Sequence, residues 1–280
     1  MPRLLTQQLH AQAMRLMRDV TELFKQNDVT FFMVHGTLLG SFFFHDIIPW
    51  DDDLDIMIPF RDVNKVRSLL RRPDVHQVFA ATSYKQLKDV FSEENLQFDV
   101  DLSKPSKCGF RSNSVMANDS CFHKFHLFYR GAPKTFMRQN VGYPFIDAKF
   151  YNENDTHIYF LDSADGEPFP KDYLYPVHYR PLFDLWQPSP AQPRQYLKHF
   201  FSKFECSSKW YSHLSQSIAV GHHVSCDDIT GCYPHVEHVY NPLDPQCTPT
   251  QSLERLRIGD KILYEVTLPE PCTNNNKFAP

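Results

Sequence analysis

The sequence predicts an α/β (α+β) protein in which helices flank a mixed β-sheet. Three observations lead to that class. Residues 4–26 carry an amphipathic helical pattern, residues 29–34 and 54–58 are short runs typical of strands, and residues 61–72 have the pattern of another helix. Elements in this order, followed by more strands, indicate one mixed sheet with helices packed on it.

The first elements follow from local residue preferences. The N-terminal helix places most of its apolar side chains on one face, namely Leu5, Leu9, Leu16, Val20, Leu23 and Phe24. The run VTFFMV at 29–34 is β-branched and aromatic, as buried strands are. The segment TLLGSFFF is predicted to form a short helix that starts at the polar cap Thr37. The run LDIMI at 54–58 alternates as a strand does, and Pro73 ends the helix over 61–72.

Several later segments have strand patterns. The segment LQFDVDL alternates cleanly, KFHLFYR is apolar and aromatic, and YPFIDAKFY and THIYFLD flank the turn NEND as the two arms of a hairpin. The four predicted strands are 96–102, 124–130, 143–151 and 156–162. They supply enough strands for the predicted sheet.

The C-terminal third is predicted to be irregular. Residues 165–193 are rich in proline, and a short helix is expected at 193–204. Residues 206–280 hold five of the seven cysteines and show little periodicity. We therefore expect a main domain over 1–200 and a loop-rich, Pro/Cys-rich extension over 201–280. Within it, the Cys- and His-rich segment 222–238 is compatible with a zinc site, a disulfide or unpaired surface residues.

The composition excludes some classes of protein. There are 29 basic and 33 acidic residues, a balance that argues against a nucleic-acid binder. No apolar run approaches the ~18 residues of a membrane span, and the N-terminus is too polar for a signal peptide. The expectation is therefore a cytoplasmic protein without a transmembrane segment. Two glycosylation triplets, at Asn118 and Asn154, leave the Golgi or secretory lumen as the alternative.

The segment HGTLLGSFFFHDIIPWDDDLDI, residues 35–56, concentrates negative charge beside an apolar run. On a strand, Asp53 and Asp55 project from the same face, where two carboxylates repel each other. No Arg or Lys between positions 35 and 59 compensates them, whereas Mg²⁺ (or Mn²⁺) binds carboxylate oxygens together with substrate phosphates. A solvated acidic turn is the alternative, but the apolar flanks favour a metal site.

The residues before the aspartates have the pattern of a phosphate site. Gly36 permits close backbone approach, and a helix starting near Thr37 directs free N–H groups at an anion. Thr37 and Ser41 are predicted to add hydroxyl donors. An ordinary helix cap is the alternative, but the Asp-x-Asp strand that starts seventeen residues after Gly36 favours phosphate binding.

This segment resembles the signature of the LicD family, a branch of the nucleotidyltransferase superfamily that includes bacterial phosphorylcholine transferases. The chain most resembles uncharacterised animal LicD-like proteins, and the likeness extends over about residues 15–200. It implies a nucleotidyltransferase-like fold in which Asp53 and Asp55 bind Mg²⁺ and Gly36 and Thr37 contact phosphate. The roles of Asp51 and Asp52, which also match, are less defined.

Two later segments resemble further blocks of the family. The segment YPFIDAKFY makes Asp147 the candidate third carboxylate, with Asp162 or the pair Asp99 and Asp101 as fallbacks. The block at 172–197 contains Arg180, which is predicted to meet a phosphate or to form a structural ion pair.

The resemblance implies an enzyme that transfers phosphorus-containing groups. A phospho-alcohol, such as phosphorylcholine or ribitol phosphate, would move from a CDP-activated alcohol or similar nucleotide donor to a hydroxyl of a glycan or glycolipid. Asp53, Asp55 and Asp147 are the predicted catalytic and metal-binding residues, with Asp147 as the candidate base.

One departure from the family pattern keeps two alternatives open. Bacterial members usually carry a basic residue shortly after GTLLG, where this chain has Phe42, Phe43 and Phe44. If that residue contacts substrate, the chain has changed substrate or lost activity, unless His45 substitutes for it. The alternatives are a sugar-nucleotide-dependent glycosyltransferase that uses the Asp-x-Asp site and a catalytically degenerate member that binds a glycan or regulates a partner.

Overall fold

The computed structural model describes residues 4–83, 124–135, 141–161, 166–201, 211–215, 217–218, 230–239 and 251–269. The helices and strands, in chain order, are α1 Gln7–Gln26, β1 Phe32–Met33, α2 His35–Phe44, β2 Leu54–Pro59, α3 Val63–Arg71, α4 Pro73–His76, β3 Phe79–Ser83, β4 Lys124–Tyr129, β5 Ile146–Glu153, β6 His157–Phe160, β7 Phe169–Pro170, β8 His178–Leu182, β9 Leu185–Ser189, α5 Pro193–Phe200, β10 Tyr211–Ser212, β11 Ser217–Ile218, β12 His235–Val239, β13 Ser252–Ile258 and β14 Lys261–Leu268.

The centre of the fold is a mixed sheet, which confirms the predicted α/β class. Its main path runs β1–β2–β5–β4–β3, and β6 and β7 continue from the far end of β5. Strands β2 and β5 pair in parallel, whereas the other neighbours pair antiparallel. The parallel pair matters for function because it sets the start of β2 beside the start of β5.

The two faces of this sheet differ in chemistry. One row of cross-strand neighbours is buried and apolar, consisting of Leu54, Ile146, Leu127 and Ala81. The next row, on the opposite face because strand side chains alternate, consists of Asp55, Asp147, His126 and Thr82. Polar groups from four strands therefore line one side of the sheet.

The helices bury their apolar faces against the core. Helix α1 starts at a Thr6 cap, whose hydroxyl accepts from the Leu9 amide, and it buries Leu16, Val20 and Phe24 of the predicted stripe. Among the described residues, no helix has both the length and the apolarity needed to span a membrane.

Two predicted elements are shifted. The strand predicted over 29–34 is limited to Phe32–Met33, which pair with Met57 and Ile56 of β2. Helix α2 begins at His35 rather than at Thr37, and its cap position is Val34, which makes no side-chain cap hydrogen bond. Thr37 is free of the capping role because its hydroxyl bonds across to β2 instead. The strand predicted over 96–102 lies outside the described residues.

The prediction of an irregular 165–193 segment is wrong. This segment contains β7 and the hairpin β8–β9. Pro181 and Pro188 lie within the two arms, opposite Trp186 and Tyr179. A proline fits a strand that has one unpaired edge, and each arm of a two-stranded ribbon has such an edge. The proline content therefore did not exclude strands here.

The described part of the C-terminal extension is also more regular than expected. Strands β12, β13 and β14 form a three-stranded antiparallel sheet. The turn between β13 and β14 contains Gly259, which has a φ of 53°, in the left-handed region that glycine adopts readily. Cys232, from the Cys- and His-rich segment, is an exposed free thiol, and residues 222–229 of that segment lie outside the described part.

A glycine inside α2 permits close packing of the chain that follows the helix. A Cβ at Gly40 would collide with the backbone carbonyl of Asp46 and lie 2.8 Å from the amide nitrogen of Ile48. We expect Gly40→Ala to lower the free energy of unfolding by about 1–3 kcal/mol, because overpacking outweighs the ~1 kcal/mol helix preference of alanine. Guanidinium denaturation measures this change. Gly231→Ala is the matched control, since its Cβ would meet no atom within 4 Å, and equal effects in both variants would contradict the packing argument.

Candidate metal and phosphate site

Three predicted carboxylates converge where β2 and β5 begin. Asp55 and Asp147 are cross-strand partners in the parallel pair, and Asp53 immediately precedes β2. One carboxylate oxygen from each of the three lies within 4.8 Å of the others. Asp53 and Asp55 are buried, with 9% and 8% of their surfaces exposed. The structure therefore brings together the aspartates that the sequence singled out for metal binding.

The start of α2 lies directly against these carboxylates. The Gly36 amide donates to Asp55 Oδ2 at 3.2 Å, and the Asp55 amide donates to Thr37 Oγ1 at 2.6 Å. A Cβ at Gly36 would lie 2.6 Å from Asp51 Oδ2, so only glycine fits without displacing that carboxylate. The N-terminal end of a helix also favours negative charge through its dipole. Local geometry thus holds the helix end and the acidic strand in one unit.

The aspartates carry more negative charge than their surroundings compensate. Burial, together with Asp55 and Asp51, raises the pKa of Asp53 well above its ordinary value. Burial and Asp55 likewise raise the pKa of Asp51 to about 6. A raised carboxyl pKa means that the ionised form is disfavoured at this position. A bound cation would relieve that cost.

The donor set fits a hard divalent cation. Asp53, Asp55 and Asp147 offer only carboxylate oxygens, the ligands that Mg²⁺ and Mn²⁺ prefer. The fallback carboxylates Asp162, Asp99 and Asp101 lie outside the described residues. Asp147 is thus the described third carboxylate beside Asp53 and Asp55.

Two nitrogen-bearing side chains at the site were missed by sequence reasoning. Lys149 Nζ lies 3.4 Å from Asp55 Oδ1, and His213 Nε2 lies 3.2 Å from Asp53 Oδ2. The alternation of the segment IDAKFY could have revealed Lys149, because positions 147 and 149 share a face of the strand. Nothing local in the sequence indicated His213, which lies 160 residues after Asp53.

Asp52 has a different role from its neighbours. Its carboxylate accepts from the Ser212 hydroxyl at 3.2 Å, from the His213 amide at 3.0 Å and ring Nδ1 at 2.7 Å, and from the Leu214 amide at 3.3 Å. Its own carbonyl accepts from the Tyr143 hydroxyl at 3.0 Å. With both oxygens engaged by donors, Asp52 anchors the segment 212–214 onto the acidic segment.

Ser41 and Arg180, predicted to bind substrate, are engaged elsewhere. The buried hydroxyl of Ser41 donates to the carbonyl of Pro181 at 2.7 Å. Arg180 Nη2 lies 2.7 and 2.8 Å from the two carboxylate oxygens of Glu254, and both side chains are buried. The structural ion pair, which the sequence left open for Arg180, is the arrangement observed.

The three phenylalanines that replace the family's basic residue are packing groups. Phe42 stacks on His238 at 4.1 Å between ring centroids, and the Arg180 guanidinium lies 5.0 Å from its ring centre. Phe44 packs edge-on against Trp50. His45, the proposed substitute for the basic residue, is buried, with Nε2 2.7 Å from Glu254 and Nδ1 2.6 Å from the Tyr264 hydroxyl. This part of α2 therefore faces the C-terminal sheet.

The charge excess leads to a stability prediction for the metal-free protein. We expect Asp53→Asn to raise the free energy of unfolding by about 1–3 kcal/mol, because it removes a buried ionised carboxylate. The pKa of Asp53 is raised in the folded protein, so this gain is present above the folded pKa and disappears as the pH falls towards the unfolded value. Thermal unfolding in EDTA at pH 7.5 and at acidic pH measures both trends, and a destabilised variant at pH 7.5 would contradict the expectation.

Comparison with known proteins agrees with this geometry. Residues 28–137 match the family model described as LicD/FKTN/FKRP, nucleotidyltransferase domain. An uncharacterized protein of Rickettsia prowazekii (strain Madrid E) is 31% identical over 115 residues, which cover 41% of this chain and 41% of that protein. An uncharacterized protein of Rickettsia typhi (strain ATCC VR-144 / Wilmington) is 30% identical over 139 residues, 49% of this chain and 39% of that protein. The chain thus spans about two fifths of the length of these relatives.

Proposed function

We propose, because this chain belongs to the LicD/FKTN/FKRP family of nucleotidyltransferase domains, that it is a metal-dependent transferase that modifies a glycan. The reaction moves a phospho-alcohol, such as phosphorylcholine or ribitol phosphate, from a CDP-activated donor to a hydroxyl of a glycan or glycolipid. One observation carries the proposal: the carboxylates of Asp53, Asp55 and Asp147 converge beside the Gly36 end of α2.

Each part of the site has a defined task in this proposal. Asp53, Asp55 and Asp147 hold Mg²⁺ or Mn²⁺, which when bound neutralises charge on the transferring phosphoryl group. Gly36 has no side chain, and this lets the end of α2 pack directly against the carboxylates of Asp51 and Asp55. Thr37 fixes the distance between α2 and β2 through its bond to the Asp55 amide. Lys149 supplies a positive charge on the same face.

The chemistry needs mainly positioning and charge neutralisation. The acceptor hydroxyl forms a new O–P bond while the bond from phosphorus to the leaving CMP oxygen breaks, and the hydroxyl proton is lost. Asp147 either completes the ligand set or accepts that proton. Holding both substrates in line supplies much of the rate enhancement in reactions of this kind.

The contacts of Gly36 favour this function over a glycosyltransferase. A glycosyltransferase with a metal-binding Asp-x-Asp pair has no requirement for a glycine–threonine helix start bonded to the acidic strand. Here Gly36 and Thr37 each bond to Asp55. The raised pKa of Asp53 argues against a degenerate member, because a site without function has no reason to retain clustered charge at a cost in stability.

The proposed function is tested with a panel of donors. Purified protein with Mg²⁺ or Mn²⁺ is incubated with CDP-choline, CDP-ribitol and UDP- and GDP-sugars in the presence of a mixed glycan acceptor, and nucleotide release is measured. Metal-dependent release of CMP from a CDP-alcohol, abolished by EDTA, is expected. Release from a nucleotide sugar alone would favour the glycosyltransferase, and no release from any donor would favour the degenerate member.

A further inference from the structure

One residue of the C-terminal extension lies inside the acidic site. His213 follows β10 and is outside the region that matches the family model. Its ring bridges two carboxylates, with Nδ1 2.7 Å from Asp52 Oδ1 and Nε2 3.2 Å from Asp53 Oδ2. The extension thus contributes a side chain directly to a predicted metal ligand.

The imidazole of His213 is held in one orientation. The His213 amide and ring Nδ1 both bond to Asp52 Oδ1, and the flanking Ser212 hydroxyl and Leu214 amide bond to Asp52 Oδ2. The ring also packs edge-on against Phe145, with 5.8 Å between ring centroids. These contacts aim Nε2 at Asp53, and they restrain the ring from backbone and side chain alike.

We propose that His213, with an N–H at both ring nitrogens, is a positioning residue of the metal site, which donates from Nε2 to Asp53 Oδ2 and so fixes the carboxylate orientation in which Asp53 binds a divalent cation. The partners behind the ligands of a metal are often as important as the ligands, because a ligand free to rotate binds more weakly. The proposal rests on the proposed function in taking Asp53 as a ligand.

A second cation held by Asp51, Asp52 and His213 is a less suitable interpretation of the same residues. Their donor atoms also lie within 4.8 Å of one another. However, both Asp52 oxygens already accept hydrogen bonds, and Nδ1 of His213 is the ring atom directed at one of them. A cation here would have to displace the bonds that hold the segment 212–214 in place, whereas a role through Asp53 uses them all.

Two replacements of His213 separate the roles of its two ring nitrogens. A glutamine amide can occupy the position of Nε2, and an asparagine amide can occupy that of Nδ1. His213→Gln therefore preserves donation to Asp53, whereas His213→Asn preserves the Asp52 bond and loses the Asp53 contact. Because the backbone amides at 213 and 214 remain in both, the segment keeps most of its anchor.

The test is Mn²⁺ affinity, measured by calorimetry on the full chain with thermal unfolding in parallel. We expect His213→Asn and His213→Ala to weaken Mn²⁺ binding by about 10- to 100-fold, as loss of an outer hydrogen-bond partner does. His213→Gln should bind Mn²⁺ nearly as tightly as the parent protein. His213→Asn should retain the parent melting temperature in EDTA, which separates the effect from unfolding.

Two results would overturn the inference while leaving the metal site in place. One is parental Mn²⁺ affinity in His213→Asn and His213→Ala. The other is equal loss in the Gln and Asn variants with a matching fall in melting temperature, which would indicate a purely structural role. Absence of Mn²⁺ binding in the parent protein overturns the metal site and the inference together. Binding that depends on Asp55 and His213 without transfer from any donor overturns the proposed reaction and supports the inference.

Discussion

Replacement of Asp55 by asparagine is expected to lower the transfer rate at least about 10³-fold, because a metal ligand supplies several kcal/mol of transition-state stabilisation. Asp55 contacts both the start of α2 and strand β5. It accepts from the Gly36 amide, its own amide bonds to Thr37, and Lys149 lies 3.4 Å away. Asparagine retains an oxygen acceptor for Gly36 but loses the charge, so the loss of activity is expected without unfolding.

The measurement is nucleotide release from the active donor, with Mn²⁺ affinity and thermal unfolding determined on the same preparations. Asp74→Asn is the matched control, since Asp74 is exposed and pairs with Arg72 outside the site. It should retain the parent rate and affinity. Substantial activity in Asp55→Asn, or in the double variant Asp53→Ala with Asp55→Ala, would contradict the metal-site assignment.

The residues of the candidate site come from distant parts of the chain. Asp53 precedes β2 and Asp55 lies in it, Asp147 and Lys149 come from β5, and His213 comes from beyond β10. The carboxylates cost stability while no cation is bound, as the raised pKa of Asp53 indicates. In the proposed function this cost has a purpose, because the unrelieved charge would bind the cation, an exchange of stability for function that is common at active sites.

Sequence reasoning identified the local half of the site. The period-two alternation of a strand is sufficient to place Asp53 and Asp55 on one face, and a Gly-Thr pair before an apolar run indicates a helix start. Asp147 required the family resemblance, because pairing between β2 and β5 joins residues 92 positions apart. His213 was beyond both methods, since its place depends on the hydrogen bonds that Asp52 makes with the segment 212–214.

The sequence was sufficient to predict the fold class, but it did not predict the strands of the C-terminal part. The prolines of the hairpin β8–β9 hide its strand pattern in the sequence, although two-stranded ribbons accept prolines on an open edge. The strands β13 and β14 were missed because their buried leucines do not follow the period of two of a strand: Leu253 and Leu256 of β13 are three residues apart, and β14 buries Leu268 alone. Glu254 is fully buried, with 0% of its surface exposed, whereas a strand pattern usually places charged residues on the exposed face.

The phenylalanines of α2 illustrate how tertiary context changes the meaning of a departure from a family pattern. From the sequence, the presence of phenylalanines where the family pattern has a basic residue suggested a changed substrate or an inactive enzyme. In the structure Phe42 instead lies against Arg180, Arg194 and His238, which belong to the surroundings of Glu254. Positive charge near α2 is thus provided from later segments. The three phenylalanines are therefore explained by the packing of the C-terminal extension on α2, and they say little about catalysis.

Truncation of Glu254 is expected to give the largest loss of stability. Its carboxylate accepts from Arg180 at 2.7 and 2.8 Å, and His45 Nε2 and His238 Nδ1 lie 2.7 and 3.2 Å away. Although burial disfavours the charged form, Arg180 and His238 hold the pKa of Glu254 well below its ordinary value. Because the pKa is depressed, this stabilisation is present above about pH 4.5, the ordinary value, and is lost as the pH falls through the folded pKa.

We expect Glu254→Ala to lower the free energy of unfolding by about 3–5 kcal/mol, because it leaves the Arg180 charge buried without this carboxylate. Guanidinium denaturation at pH 7.5 measures the change. Glu265→Ala is the matched control: Glu265 pairs with Arg255 on the same sheet but is exposed, and such pairs contribute at most about 1 kcal/mol.

A double replacement separates the stabilisation that the Arg180–Glu254 ion pair provides from the cost of leaving one of the two charges buried alone. Glu254→Leu combined with Arg180→Met removes both buried charges and should be more stable than Glu254→Leu alone, because no isolated charge remains in the interior. If the double variant is no more stable than the single one, the loss comes from His45 and His238 rather than from Arg180. In that case His45, which reaches Glu254 from the end of α2, is the group that joins the C-terminal sheet to the domain through Glu254, because His238 lies on the same sheet as Glu254.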